Sequence, residues 1–171
     1  MALAGHTGAC QAQQPGLPKP GPEHAALAKM EGTWDAAVTI LGSIKAKGEA
    51  TYKMQCGGLW RERDLTFKLG DTATHVKGLD GYDPVKKKYI SVQFDSMSTA
   101  PTILEGIFDE EKTALTQTGE ARDFKGGPEQ VKNVTKYVDD DHITVEVLRV
   151  YPDGKERKMV AIEYTRRKEE K

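Results

Sequence analysis

The sequence has few cysteines, no long apolar run and no excess of charge of either sign, and each shortage excludes a class of protein. Two cysteines, Cys10 and Cys56, occur in 171 residues, and two free thiols are favoured over a disulfide. No apolar run approaches the roughly 20 residues that a membrane-spanning helix needs, which predicts a soluble protein without a transmembrane segment. Lysine and arginine number 25 against 26 aspartates and glutamates, so no bulk charge attracts nucleic acid.

The first 20 residues are predicted to form a flexible tail. They are rich in alanine, glycine, glutamine and proline, and they lack the periodicity of a buried element. Residues 10–15 contain the small side chains of a secretory cleavage site, but the basic and apolar regions that should precede such a site are missing. A signal-peptide remnant, and hence export to the periplasm or the medium, is therefore favoured over a cytoplasmic location.

The rest of the chain, residues 21–171, has the pattern of one antiparallel β-barrel domain. A short helix is predicted over residues 22–30, with proline in its first turn and Gly32 just after its end. From Thr33 onward, β-compatible runs recur between nine turn-forming breaks, of which the hairpin over residues 78–99 is the clearest. Nine breaks imply about ten strands, which suits a closed meander better than a sandwich. We therefore predict an all-β fold: a single up-and-down barrel with a short N-terminal helix.

Alternation of apolar and polar residues predicts which side chains face the barrel interior. Trp34 points inward at the start of the first strand, and the lysines at 132 and 136 belong in water, which turns their neighbours inward. The inward residues predicted to bind a ligand are Tyr52, Met54, Arg61, Arg63, Asn133, Thr135, Tyr137, Arg149 and Tyr164. For residues 89–97 both faces carry usable side chains, and the pattern does not choose between them.

Short motifs along the chain resemble those of a bacterial protein family. They are Gly32-Thr33-Trp34-Asp35, Gly57-Gly58 before Trp60, Gly81-Tyr82-Asp83 with Lys87-Lys88-Tyr89, Asp95-Ser96-Met97-Ser98-Thr99, Glu105-Gly106, Thr118-Gly119-Glu120 and Tyr164-Thr165-Arg166. Over roughly residues 17–168 the chain resembles the family known as domain of unknown function fifteen-seventy-nine. The resemblance implies a lipocalin-like, calycin-type barrel in which Arg166 of the last strand stacks on Trp34 of the first. It implies no activity.

The sequence offers little catalytic or metal-binding chemistry. The four histidines lie far apart, with no pair at positions i and i+4 and no cysteine beside them, so no metal site is predicted. No phosphate-binding loop, dinucleotide fingerprint or nucleophile elbow occurs, and no cofactor is predicted.

Three hypotheses for function follow from this pattern. The leading one is a binding module for a small hydrophobic or amphiphilic anion, whose acidic head group would meet the inward arginines. Neutralisation of those arginines by the strand glutamates Glu105, Glu120 and Glu146 is favoured over a ligand, because it needs no unseen partner; the alternative for these glutamates is an outward position. The second hypothesis is a solid or self-associating barrel, a homodimer, which an outward apolar set on residues 89–97 would indicate. The third is a hydrolase-type enzyme that uses two of the glutamates, and a protein without enzymatic activity is favoured over it.

Overall fold

A computed structural model describes residues 16–123 and 125–168, which form a closed barrel of ten antiparallel strands and one short helix. The helix is α1 (Pro22–Ala28), and the strands are β1 (Gly32–Ile40), β2 (Ile44–Gln55), β3 (Trp60–Leu69), β4 (Thr72–Asp83), β5 (Lys88–Asp95), β6 (Thr102–Phe108), β7 (Ala114–Arg122), β8 (Pro128–Tyr137), β9 (His142–Val150) and β10 (Glu156–Arg166). The predicted fold class is confirmed. The predicted signal remnant at residues 10–15 lies outside the described residues, as does most of the predicted tail, and both stay predictions.

Short turns between consecutive strands set the register of the barrel. Each strand pairs with the next, and β10 returns to pair with β1, so that no edge is left open. Between β3 and β4 the turn has only two residues, Gly70 and Asp71, and Gly70 adopts a φ of +59° that favours glycine. This turn places Leu69 opposite Thr72 and, eight residues earlier in β3 and eight later in β4, Arg61 opposite Asp80.

The inward and outward faces follow the predicted alternation in β1 and become clear in β5. Trp34 and Val38 are fully buried inside the barrel. In β5 the inward residues include Tyr89 and Ser91, which are buried, whereas Phe94 points outward and is 53% exposed. The pairing with β4 decides this, because it sets Tyr89 opposite Tyr82 and leaves the more apolar set of β5 on the outside.

Helix α1 and the residues after it cover one end of the barrel. Leu27 and Met30 are fully buried beneath it, and the indole Nε1 of Trp34 donates a hydrogen bond to the carbonyl of Met30 at 2.8 Å. Within residues 16–123 and 125–168, no helix has the length and apolar composition that crossing a bilayer would require. The buried side chains of Leu27, Met30 and Trp34 fill the end of the barrel next to α1, and we call it the closed end.

Arg166 ties the last strand to this closed end. Its guanidinium carbon lies 4.1 Å from the centre of the Trp34 ring, which confirms the predicted cation–π stack. The same group donates hydrogen bonds of 2.7 Å to the carbonyls of Lys29 and Glu31 and one of 2.8 Å to the carbonyl of Asp140. Arg166 thus satisfies carbonyls beyond the end of α1 while it covers the indole.

Candidate ligand-binding cavity

The half of the barrel away from α1 contains a cavity of about 150 Å³. Apolar side chains from β1, β3, β9 and β10 form most of its wall, among them Val38, Leu65, Phe67, Val145, Val147 and Ile162. The polar side chains that line it are Arg63, Gln93, Asp95, Asn133 and Tyr164. The cavity therefore combines an apolar wall with a few polar groups, as small-molecule sites do.

Below the cavity, Arg61 is neutralised by a carboxylate on the next strand. Its Nη2 and Nε lie 2.8 and 3.1 Å from Oδ2 of Asp80, and both side chains are only 5% exposed. Burial by itself raises the pKa of Asp80, but the charges of Arg61 and Arg63 and the hydroxyl of Ser91 outweigh it, so the pKa lies below its usual value. This is a buried ion pair in which each charge depends on the other.

Arg63 lies one inward position nearer the cavity and has no such partner. It is 9% exposed, and its Nη2 donates a hydrogen bond of 2.9 Å to Oε1 of Gln93. Its Nε is buried without a hydrogen-bond partner, and among residues 16–123 and 125–168 no carboxylate lies within ion-pair distance of it. Burial disfavours the charge, yet the more distant Asp80 raises the pKa of Arg63, which stays protonated. Two arginines and one aspartate leave this cluster with one positive charge in excess.

Two further polar groups face the same cavity from other strands. Asn133 on β8 is buried, and its Oδ1 has no hydrogen-bond partner among the described residues. Asp95 at the end of β5 accepts a hydrogen bond of 2.8 Å from the backbone N–H of Met97, which also lines the cavity. Three of the side chains that line the cavity are thus notable: Arg63 and Asn133 each have one buried polar atom without a hydrogen-bond partner in the described part of the chain, and Asp95 has a carboxylate that is already engaged.

The structure separates the nine predicted ligand-binding residues into three groups. Arg63, Asn133 and Tyr164 line the cavity. Five others face inward but pack between the cavity and the closed end: Tyr52, Met54, Arg61, Thr135 and Tyr137. Arg149 lies at the rim of the barrel farthest from α1, where it forms an ion pair with Glu129, and it does not line the cavity. Ligand binding by these residues stays a prediction.

Comparison with known proteins identifies the family but not the activity. A family model described as protein of unknown function (DUF1579) matches residues 19–166. The chain belongs to this family. The search of curated proteins gave no match. Among solved structures, one described as a redesigned beta barrel is 11% identical, with a TM-score of 0.40 and an alignment that covers 84% of this chain and 96% of that one. Because the family description assigns no function, the chemistry of the cavity has to indicate one.

The three strand glutamates face outward, so their predicted pairing with interior arginines is wrong. Glu105 pairs with Lys86 on the outer surface, and Glu146 pairs with Lys158. Glu120 is likewise on the outside, opposite Ile103. The alternative outward position is therefore the one observed. None of the three reaches the cavity, and the enzyme hypothesis loses the residues on which it depended.

Alternation alone missed Asp80 and Gln93, the two residues that contact the inward arginines. Asp80 lies between Leu79 and Gly81, and the inward position of an acid beside an outward leucine opposes the usual pattern. A usable signal was the two-residue turn at Gly70 and Asp71, because counting back from it along both strands pairs Arg61 with Asp80. For Gln93, no signal was available until the inward face of β5 was known.

One side of the outer surface is apolar, and we call it the apolar outer face. It consists of Trp60, Leu79, Ile90, Val92, Phe94 and Ile103, on strands β3 to β6. Leu79, Val92 and Ile103 are direct cross-strand neighbours and form a row across β4, β5 and β6. Leu79 and Ile103 are 43% and 51% exposed. The rim of this face carries charges of both signs, in the pairs Lys77–Asp64 and Lys86–Glu105.

Proposed function

We propose that this barrel is a binding module for a small, partly apolar ligand with one negative charge, held in the cavity by Arg63. The observation that carries the proposal is the state of Arg63: a buried cation at the cavity, with an unpaired Nε and no carboxylate at ion-pair distance in the described part of the chain. Burying such a charge without a partner is costly, and an acidic ligand group would supply the partner. The lipocalin-like use of a barrel as a container is consistent with this role.

The contrast between the two neighbouring arginines supports this proposal. Arg61 has its counter-ion within the fold, at 2.8 Å, and its Nη1 also contacts the carbonyl of Leu27. Arg63 has the same burial but only an amide oxygen as a hydrogen-bond partner. A purely structural cluster would need one carboxylate for each arginine. Arg63, which lacks a carboxylate at ion-pair distance in the described part of the chain, lines the cavity. An acidic group bound there would supply the negative charge, and the apolar wall would contact the body of the ligand.

The test is a titration of the protein with small carboxylic acids by isothermal calorimetry, at fixed ionic strength. Replacing Arg63 with methionine removes the charge and keeps most of the side-chain volume, and we expect it to weaken binding by about tenfold or more. The matched control is Arg149→Met, which removes the same charge from a residue outside the cavity. Binding that is equal in wild type and Arg63→Met, or no binding of any acid, would contradict the proposal.

A second candidate function, self-association, is favoured by the apolar outer face. Exposed apolar rows of this kind are unusual on a monomer and typically mark an interaction surface. A second copy of the chain is the partner that we propose for it. The rim carries lysines and acids side by side, so a copy related by a two-fold axis can find an opposite charge for each. This association uses the outside of the barrel and leaves the cavity unchanged.

Sedimentation velocity tests the self-association. We expect the wild-type protein to sediment as a dimer at micromolar concentration and Ile103→Lys to sediment as a monomer, because the lysine would bring a charge into the apolar row that the interface covers. Leu41→Lys is the matched control, since Leu41 is similarly exposed, at 44%, but lies in the turn between β1 and β2. A wild-type monomer at all concentrations would exclude this candidate.

A further inference from the structure

We infer that the cavity selects a compact monocarboxylic acid that also carries a hydrogen-bond donor, such as a hydroxy-substituted single-ring or short branched-chain acid. This inference rests on the proposed function, because it assumes that Arg63 binds an acidic group. It adds three properties of the ligand: its size, its single charge and its second polar group. Each comes from a different feature of the cavity.

The size of the ligand follows from the volume of the cavity. About 150 Å³ is the volume of engineered apolar cavities that bind benzene, and it is below the range of sites for drug-sized molecules. The half of the barrel next to α1 offers no continuation, because Met30, Trp34 and Tyr52 fill it and are fully buried. A ligand enclosed here therefore has about six to ten non-hydrogen atoms. A long fatty acid would have to leave most of its chain in water.

The number of charges follows from the polar groups on the cavity wall. Arg63 is the cation with an unpaired donor atom, and Asp95 places a carboxylate on the same wall. Within residues 16–123 and 125–168, the cavity lining has no second cationic side chain. A dicarboxylic acid would bring its second negative charge toward Asp95 without a partner, which is unfavourable in a site of low polarity. One carboxylate is thus the charge that the cavity matches.

The second polar group follows from Asn133. Its Oδ1 is a buried acceptor without a partner, and leaving such an atom unsatisfied on ligand binding costs free energy. A plain hydrocarbon body would leave this oxygen without a partner. A hydroxyl or N–H group on the ligand would instead donate to it, while the carboxylate accepts from the guanidinium of Arg63. The two unpaired atoms together therefore favour an acid that also has a donor.

The experiment compares matched single-ring compounds by isothermal calorimetry at pH 7. The compounds are the three isomers of hydroxybenzoate, benzoate without the donor, hydroxybenzyl alcohol without the charge, isophthalate with two charges, and decanoate as a long-chain acid. We expect one hydroxybenzoate isomer to bind about threefold to tenfold more tightly than benzoate, which is the effect of one neutral hydrogen bond. Hydroxybenzyl alcohol, isophthalate and decanoate should bind more weakly than benzoate.

Two variants separate the failure of this inference from the failure of the proposed function. Asn133→Leu keeps the volume of the side chain and should abolish the preference for hydroxybenzoate while it preserves binding of benzoate; Arg63→Met should weaken both acids. If the acids bind and depend on Arg63, but decanoate or isophthalate binds best or Asn133→Leu leaves the preference unchanged, only the present inference is overturned. If no acid binds, or Arg63→Met has no effect, the proposed function fails and this inference fails with it.

Discussion

Arg61 and Arg63 lie two residues apart on β3, are both buried, and should respond differently to the same substitution. Arg61 forms an ion pair with Asp80, whereas Arg63 has no carboxylate at ion-pair distance in the described part of the chain. Methionine replaces the arginine stem with an apolar side chain and removes the charge. The stabilities of Arg61→Met and Arg63→Met therefore show whether each arginine contributes mainly to the stability of the barrel or to the binding of the proposed acidic ligand.

For Arg61→Met we expect a large loss of stability. The substitution leaves the Asp80 carboxylate 5% exposed and without its main partner, and breaking a buried pair in this way costs about 3–5 kcal/mol. For a chain of this size, that loss corresponds to a fall in melting temperature of roughly 6–20 °C.

For Arg63→Met we expect a much smaller fall in melting temperature than for Arg61→Met. The substitution removes a buried charge and its desolvation cost, and the amide of Gln93 that loses its partner lines the cavity. Replacing buried charged groups with apolar ones of similar size is often neutral, but the attraction of the more distant Asp80, which raises the pKa of Arg63, is lost as well, so we expect a small net loss of stability. The same variant should lose its affinity for acids, because it lacks the cation that is proposed to bind them.

The assay is urea unfolding and thermal denaturation of the three purified proteins at pH 7, with Arg149→Met as the control for loss of one positive charge. The reasoning would be refuted if Arg63→Met were as destabilising as Arg61→Met. In that case Arg63 would contribute to the fold through its interaction with Asp80, and its unpaired Nε would no longer indicate a ligand.

Three further predictions concern Arg166 at the closed end and the titratable groups Asp80, Tyr52 and Tyr164 inside the barrel. Arg166→Gln should lose the stack on Trp34 and most of the carbonyl contacts at the closed end, lowering the free energy of unfolding by about 1–3 kcal/mol in urea titrations and shifting tryptophan emission to longer wavelength; an unchanged emission spectrum would argue against the stack. Because the pKa of Asp80 lies below its usual value in the fold, its ionised form stabilises the barrel above about pH 4, and this contribution is lost as pH falls through the folded pKa. The stability difference between wild type and Asp80→Asn should therefore be full at pH 7 and shrink in acid, and a difference that is constant with pH would contradict the shift. Burial raises the pKa of Tyr52 and Tyr164, so neither should ionise in a spectrophotometric titration of the folded protein, and stability should decline as pH rises above about 10; normal titration of all tyrosines before unfolding would show that the two are accessible.

The fold could be predicted from the sequence because local signals repeat along the chain. Nine turn-forming breaks indicate ten strands, and the structure has ten. Alternation is strong where one face of a strand lies in the core, as it is around Trp34, and this fixes the direction of those side chains. The family resemblance implied the stack of Arg166 on Trp34, and alternation agrees with it, since a residue two positions beyond Tyr164 points inward as well.

The cavity could not be predicted, because its existence depends on how completely side chains from distant strands fill the barrel. Six of the nine predicted residues do not line it, although the strand register puts all nine at inward positions of the alternation. Face assignment is a property of each strand alone, whereas depth along the barrel depends on strand tilt and register around the whole sheet. Arg61 and Arg63 show the difference: both face inward, but one inward position separates a filled layer from an open one.

The surroundings of Arg63, a buried and partly unsatisfied arginine, support a role in ligand binding. The structure already contains a way to neutralise an inward arginine, because Asp80 does so for Arg61 from the opposite position on β4. At the corresponding position opposite Arg63 the chain has Gly78, and a Cβ built there would lie 2.9 Å from Nη2 of Arg63. A larger side chain at this position would therefore push the guanidinium away from where it lies now. The glycine leaves space for the arginine and supplies no counter-charge, which is the arrangement expected when the negative charge is to come from a ligand.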